Sequence, residues 1–494
     1  MIKAVHWERS SVMNYFSTRN TGEKVSSAEA IVKGLAADGG LFIPEEIPQV
    51  KMEGLEKLSY PQLAAELLPY LLPDYDREFL KQATEAAYGP AFHGKAGQTV
   101  KVKDGMYALE LWHGPTCAFK DYALQLMPRL LVEAKRMLGR TEKTRILVAT
   151  SGDTGKAALE GYKDLNGIDI FVFYPNDGTS EIQRLQMASQ QGGNVGVYAV
   201  EGNFDDAQTG VKKAFRDPAV EAQLEERNIR LSSANSINWG RLVPQIVYYF
   251  YSYFRVLEQE NLPFGTVIDY CVPTGNFGDI TAGYYAKKMG LPIGKLICAA
   301  NQNNVLADFF ATGTYDANRP FHKTGSPSMD ILISSNLERL LYNACGDEKQ
   351  VAIWMKELSE KGVYSVDEQT LATLREDFAA GWCSEEACEE IIGRYNEQYG
   401  YLADTHTAVA LGVAEHFITE RPMVVLSTAN PYKFPRVVLT ALGKEAPLSD
   451  FEAIEQLEKL SGISAPESLT MLKSMPERFK EVIPAEKITD IAVQ

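Results

Sequence analysis

Ile146-Leu147-Val148-Ala149-Thr150-Ser151-Gly152-Asp153-Thr154-Gly155-Lys156-Ala157-Ala158-Leu159 runs from an apolar stretch, through a turn of glycines and hydroxyls, into a segment with helical spacing. The run 146–149 reads as a short buried strand and 154–165 as a helix. The turn between them therefore sits at a strand's carboxyl end and a helix N-terminus, where backbone N–H groups and the helix dipole favour an anion. The same grammar returns at Pro273-Thr274-Gly275-Asn276-Phe277-Gly278-Asp279, which follows an apolar run over 267–272 and opens a helix over 280–289. Its two glycines let the backbone wrap a phosphate. Taken singly, a glycine-rich turn after a strand is more often plain punctuation than a binding site. Neither carries the GxGxxG dinucleotide fingerprint. Neither is a Walker A loop, because Ala157 follows Gly155-Lys156 and Thr150 stands where the first glycine belongs.

Outward from these two loops, further apolar, β-branched runs at 170–174, 195–200, 296–300 and 424–426 alternate with helical spacing at 180–191 and 205–216. Alternation of this kind predicts an α/β fold with parallel sheets. Open sheets bind ligands at the carboxyl ends of their strands. That rule adds a third loop, Ser427-Thr428-Ala429-Asn430-Pro431, whose hydroxyls and amide can contact a ring. Residues 1–95 read differently, with helices over 27–35, 60–72 and 77–88, and form a separate, mainly helical domain. The catalytic α/β region is expected over 96–445, with a smaller subdomain at about 113–235. The charged segment 348–399 reads as a helical insertion and 446–494 as a C-terminal tail.

The chain has 494 residues, 45% hydrophobic and 23% charged, enough for two or three buried cores. With 65 acidic against 49 basic residues its net charge is −16, which repels nucleic acid and anionic lipid. An anionic ligand would need a local cradle of N–H groups, hydroxyls and a few cations. Lys3, His6, Glu8 and Arg9 break the N-terminus, and no apolar run approaches the roughly 18 residues of a membrane span. Six scattered cysteines without a CxxC pair point to reduced thiols and a cytoplasmic setting. No pair of histidines has metal-ligand spacing, so no metal is expected.

The segment His113-Gly114-Pro115-Thr116-Cys117-Ala118-Phe119-Lys120-Asp121 places one lysine in an apolar stretch. A lone lysine is usually a solvated charge. Between Phe119 and 122–124, desolvation would instead lower its pKa and favour the free amine needed for an imine. His113 reads either as a turn histidine bonded to backbone or as a catalytic group.

Together these motifs resemble the threonine synthases, in the tryptophan synthase β-like fold type II of pyridoxal-phosphate enzymes. The resemblance extends to 38–44 (Asp-Gly-Gly-Leu-Phe-Ile-Pro) and to Ser233-Ala234-Asn235-Ser236-Ile237-Asn238 with Arg241, in the family's order over nearly the whole chain. Asp at 153 and 279, with the long N-terminal region, is similar to the family's longer branch. The resemblance implies two open parallel-sheet domains plus the N-terminal one, and pyridoxal 5'-phosphate held as a Schiff base on Lys120. It implies cofactor contacts from Asp153, Gly275, Asn276, Phe277, Gly278 and Asp279, with Thr428 at the pyridine nitrogen. Ser151, Gly152 and Thr154 would hold the substrate carboxylate, and Asn235, Ser236 and Arg241 the substrate phosphate. The implied reaction converts O-phosphohomoserine and water to L-threonine and phosphate, by γ-elimination and β-hydration, in a monomer or homodimer. Another fold type II lyase, such as a threonine dehydratase or amino-alcohol phospholyase, and a silent cofactor-binding protein remain alternatives.

Overall fold

The computed structural model describes residues 13–176 and 179–494. The N-terminal charges read above, at Lys3, His6, Glu8 and Arg9, lie outside the described residues. Two parallel sheets dominate, as the strand-helix alternation predicts. The larger sheet runs, from edge to edge, Phe378–Trp382, Ile293–Ala300, Ile268–Pro273, Met423–Ser427, Met106–Glu110 and Gln98–Lys103. All its neighbours are parallel except the last pair, an antiparallel hairpin. Every residue of Ile268–Pro273 and Met423–Ser427 is buried, which is why these strands are mostly apolar on both faces, with Asp269 and Ser427 as their buried polar residues. The smaller sheet is ordered Val482–Ile483, Val195–Val200, Ile168–Pro175, Lys143–Ala149 and Ile229–Ser232, parallel throughout.

Three features depart from the sequence expectations. The N-terminal region adds a three-stranded antiparallel sheet of Asn20–Val25, Tyr15–Ser17 and Phe42–Pro44 to its helices Ser27–Lys33, Tyr60–Leu67 and Arg77–Tyr88. The segment 348–399 is helical over Glu348–Lys361, Glu368–Asp377 and Glu385–Tyr399, yet its strand Phe378–Trp382 is the edge of the larger sheet, paired with 296–300. The segment 446–494 is tied down. Val482 and Ile483 pair with Ala199 and Val200, and Ile488 and Ile491 share a core with Val211, Ala214 and Val220.

The 22-residue helix Trp239–Glu260 joins the sheets and is buried on nearly every side. Asn238 caps it, accepting from the Gly240 N–H at 2.8 Å. This cap fixes the helix start, and so places Arg241 in the first turn, facing the cleft between the sheets. The other wall of that cleft opens with the helices Asp153–Tyr162 and Gly278–Lys288, each starting directly after a strand and a glycine-rich turn. No described helix is long and apolar enough to cross a membrane.

Candidate active site

A cleft of about 1460 Å³ lies between the two sheets. Lys120 reaches into it from the first residue of the short helix Lys120–Leu124. The chain is locked here: Phe119 N–H donates to Thr428 O at 2.8 Å, Asn430 N–H donates to Cys117 O at 3.1 Å, and Ala118 bridges Ala429. That bridge sets Thr428 and Lys120 on the same wall. Lys120 is buried, with Nζ 4.7 Å from the centroid of the Phe119 ring. Burial, reinforced by Arg241 and Lys433 and opposed by Asp153 and Asp279, pulls its pKa down to about 8. The free amine is thus within easy reach near neutrality.

Two sets of backbone donors face the same cleft. Among the described residues, no protein group accepts from the N–H groups of Gly275 through Ile280; the first bonded amide of that helix is Thr281, to Phe277 O. Phe277 holds φ at 62°, a left-handed conformation that turns successive N–H groups to one side. Gly275 is required by crowding, since a Cβ there would lie 2.6 Å from Ser328 O. In the second loop Thr150 Oγ1 accepts from Gly152 and Gly155 N–H, both at 3.0 Å, and fixes the turn. The N–H groups of Ser151, Asp153 and Thr154 are left without a protein acceptor among the described residues. Gly152, at φ 153°, is buried against Gln183 rather than lining the cleft. One array fits a phosphate, the other a carboxylate. A buried free amine between two anion cradles suits an aldehyde cofactor carrying a phosphate.

Asp153 and Asp279 are shifted in opposite directions by their surroundings. Asp153 is buried, which opposes its ionisation, but the Lys433 ammonium at 2.6 Å, Lys120 and a bond from Gln183 Nε2 at 2.9 Å hold it well below the usual carboxylate range. Asp279 has only neutral donors: Tyr248 and Tyr249 hydroxyls at 2.6 and 2.9 Å reach Oδ1, while Oδ2 is buried without a partner. Burial lifts its pKa to about 6. At the far side, Arg241 Nη1 donates to Ala234 O at 2.7 Å, and its guanidinium is buried. Asn235 and Ser236 line the cleft next to it, and the exposed Lys212, Arg216 and Arg230 line its outer part. Glu23, Asp38, Glu142 and Asp205 also line the cleft, so what it offers an anionic ligand is the buried Arg241 guanidinium rather than a broad positive field.

The structure thus gathers the sequence candidates, apart from Gly152, along one cleft wall or another, and adds residues that sequence reasoning missed. Lys433, fully buried, bonds Asp153 and Thr116 O (3.0 Å). His406 and Ser328 line the cleft itself. A charged residue two places after Pro431 and a histidine judged only for metal spacing gave little signal. His113 bonds Glu110 Oε2 through Nε2 at 2.8 Å, a side chain rather than backbone. No described cluster could hold a metal ion.

Comparison with known proteins places this geometry. Family profiles match in order: threonine synthase N terminus over 14–88, pyridoxal-phosphate dependent enzyme over 95–375 and threonine synthase C-terminal over 407–491. A threonine synthase of Pseudomonas aeruginosa is 39% identical over 88% of this chain and 92% of its own length. The human threonine synthase-like 1 protein is 40% identical over 85% of this chain; the match spans only 59% of that longer protein. The crystal structure of a PLP-bound threonine synthase from Brucella melitensis superposes with a TM-score of 0.87 at 37% identity, covering 97% of this chain and 99% of the other. With two open parallel sheets, a lysine between two anion cradles, and bacterial threonine synthases matched over most of both chains, this chain belongs to the threonine synthase family of pyridoxal-phosphate-dependent enzymes.

Proposed function

We propose that the chain converts O-phospho-L-homoserine and water into L-threonine and phosphate, with pyridoxal 5'-phosphate attached to Lys120. The observation that carries this reading is a buried, readily deprotonated lysine with two free N–H arrays and a buried arginine around one cleft. The N–H groups of Gly275, Asn276, Phe277 and Gly278 bind the cofactor phosphate at the start of the helix that carries Asp279. The Thr428 hydroxyl meets the ring nitrogen without fully protonating it. Bound there, the cofactor supplies an electron sink for charge developing beside the substrate amino group.

Ser151, Asp153 and Thr154 hold the substrate carboxylate through their N–H groups, with Gly152 shaping the turn. The Asp153 side chain, kept ionised by Lys433, faces the cofactor. Arg241 offers the planar donors a phosphate prefers, seconded by Asn235 and Ser236. Lys120 acts as general base and acid on the carbons next to the amino group, a task that a pKa of about 8 suits. The six cysteines are free thiols, which supports the cytoplasmic setting, and the chain works as a monomer or homodimer.

The test is product analysis with O-phosphohomoserine. Threonine and inorganic phosphate formed in equal amounts support the reading. A keto acid, or an unhydrated elimination product, assigns a different lyase of the same fold, and cofactor binding without turnover assigns a silent binder.

A further inference from the structure

Lys120 Nζ donates to Ser328 Oγ at 3.2 Å, its hydrogen bond to the protein among the described residues. Ser328 is the middle residue of the single-turn 3-10 helix Pro327–Met329, and the loop around that turn is tightly held. Asn301, fully buried just beyond strand Ile293–Ala300, donates through Nδ2 to Thr324 Oγ1 at 2.9 Å, Ser326 Oγ at 3.0 Å and Asp330 Oδ1 at 2.8 Å. Thr324 N–H and Oγ1 in turn bond Asp330 at 2.9 and 2.7 Å, closing the loop on itself. Ser328 then donates its main-chain N–H to His406 Nε2 at 3.2 Å.

That last bond fixes a tautomer. Nε2 must present its lone pair, so the ring proton sits on Nδ1, where Asp404 Oδ2 receives it at 2.7 Å. Asp404 is fully buried as the N-cap of helix Thr405–Ala414, and it also accepts from the N–H groups of His406 and Thr407 at 2.9 and 3.1 Å. The imidazole packs 5.1 Å from the Phe434 ring. A buried carboxylate orienting a neutral imidazole, which orients a serine, is more than a loop needs merely to stay folded.

We propose that Ser328 is the direct hydrogen-bond partner that aims the Lys120 amine into the cleft, with His406 and Asp404 as positioning residues behind it. The proposal rests on Lys120 being the reactive lysine. When the amine is free, an N–H bonded to Ser328 Oγ leaves the nitrogen lone pair directed at the reacting carbons. The serine oxygen also favours the ammonium form, offsetting part of the burial that disfavours it.

The test uses the apoprotein, so that it does not depend on the substrate. The pH dependence of Lys120 labelling by 1-fluoro-2,4-dinitrobenzene is followed by mass spectrometry of its peptide, in wild type, Ser328→Ala, His406→Leu and His406→Gln. Loss of an acceptor on the ammonium lowers the midpoint by about one pH unit in Ser328→Ala. His406→Leu shifts the same way, and His406→Gln, whose amide oxygen can still accept from Ser328, stays near wild type. A Ser328→Ala midpoint equal to wild type overturns the proposal, whether or not the histidine variants fold. If labelling shifts as expected while O-phosphohomoserine gives no threonine, the positioning role stands and the substrate reading falls.

Discussion

Lys120, which lines the cleft, and Lys433, buried against Asp153, are two buried lysines with opposite surroundings, and their substitutions should differ in sign. Lys120 has no carboxylate in contact, and burial sets its folded pKa at about 8 against an ordinary value near 10.5. The unfolded chain therefore binds the extra proton between these values, so stability rises as pH climbs through that window and is penalised below it. Lys120→Met removes the penalty, and the apoprotein should be on the order of 1–3 kcal/mol more stable at pH 7 by denaturant titration. A less stable variant would show that the ammonium is well solvated. Lys433 instead neutralises Asp153 at 2.6 Å with both side chains buried. Lys433→Met strands that carboxylate and should cost about 3–5 kcal/mol. Asp153 in wild type has a depressed pKa, contributing stability that is present at neutral pH and lost as pH falls. In the variant its pKa rises, so the deficit should shrink in acid, which melts at several pH values would show.

At the scale of elements, the two strand-turn-helix units were legible because each combines a strand with a buried centre and a turn whose glycines have structural reasons. Gly275 is the sharper case. An added Cβ would meet Ser328 O at 2.6 Å, so Gly275→Ala must push the cradle and the 324–330 loop apart. Strain of about 1–3 kcal/mol should weaken pyridoxal-phosphate retention roughly tenfold or more, read by cofactor titration; unchanged affinity would mean that the loop yields freely. Other elements were not legible for physical reasons. Helix Trp239–Glu260 is buried on nearly every side and takes Arg241, Gln245 and Ser252 inside with its apolar residues, so its polar positions do not mark out a solvent face. Strand Met106–Glu110 is wholly buried but carries no β-branched residue, so it lacks the signal that marked 424–426. Strand Phe378–Trp382 is hidden between charged helices, and its place at the sheet edge follows only from pairing with residues distant in sequence. The site's second layer was equally hidden: Ser328, Asp404 and His406 meet only because the 324–330 loop folds back on the start of helix Thr405–Ala414.

At the scale of the whole molecule, the end of the chain closes the smaller sheet. Glu481 O accepts from Ala199 N–H at 3.0 Å, Arg145 Nη1 donates to Ala492 O at 2.8 Å, and Ile483, Ile488 and Ile491 are buried. Deleting 481–494 exposes an edge strand and an apolar patch beside the wall that carries Ser151 and Asp153. The truncated protein should melt at a clearly lower temperature and lose activity; an unchanged melt would show that the small sheet holds without this strap. The central claim, a pyridoxal-phosphate enzyme working through Lys120 on a phosphorylated amino acid, is tested most directly by absorption spectra of cofactor-loaded wild type and Lys120→Ala, before and after O-phosphohomoserine. The account predicts a visible band in wild type that shifts with substrate as phosphate is released, and no covalent cofactor in the variant. A wild type without such a band, or a variant that keeps it, would contradict the account.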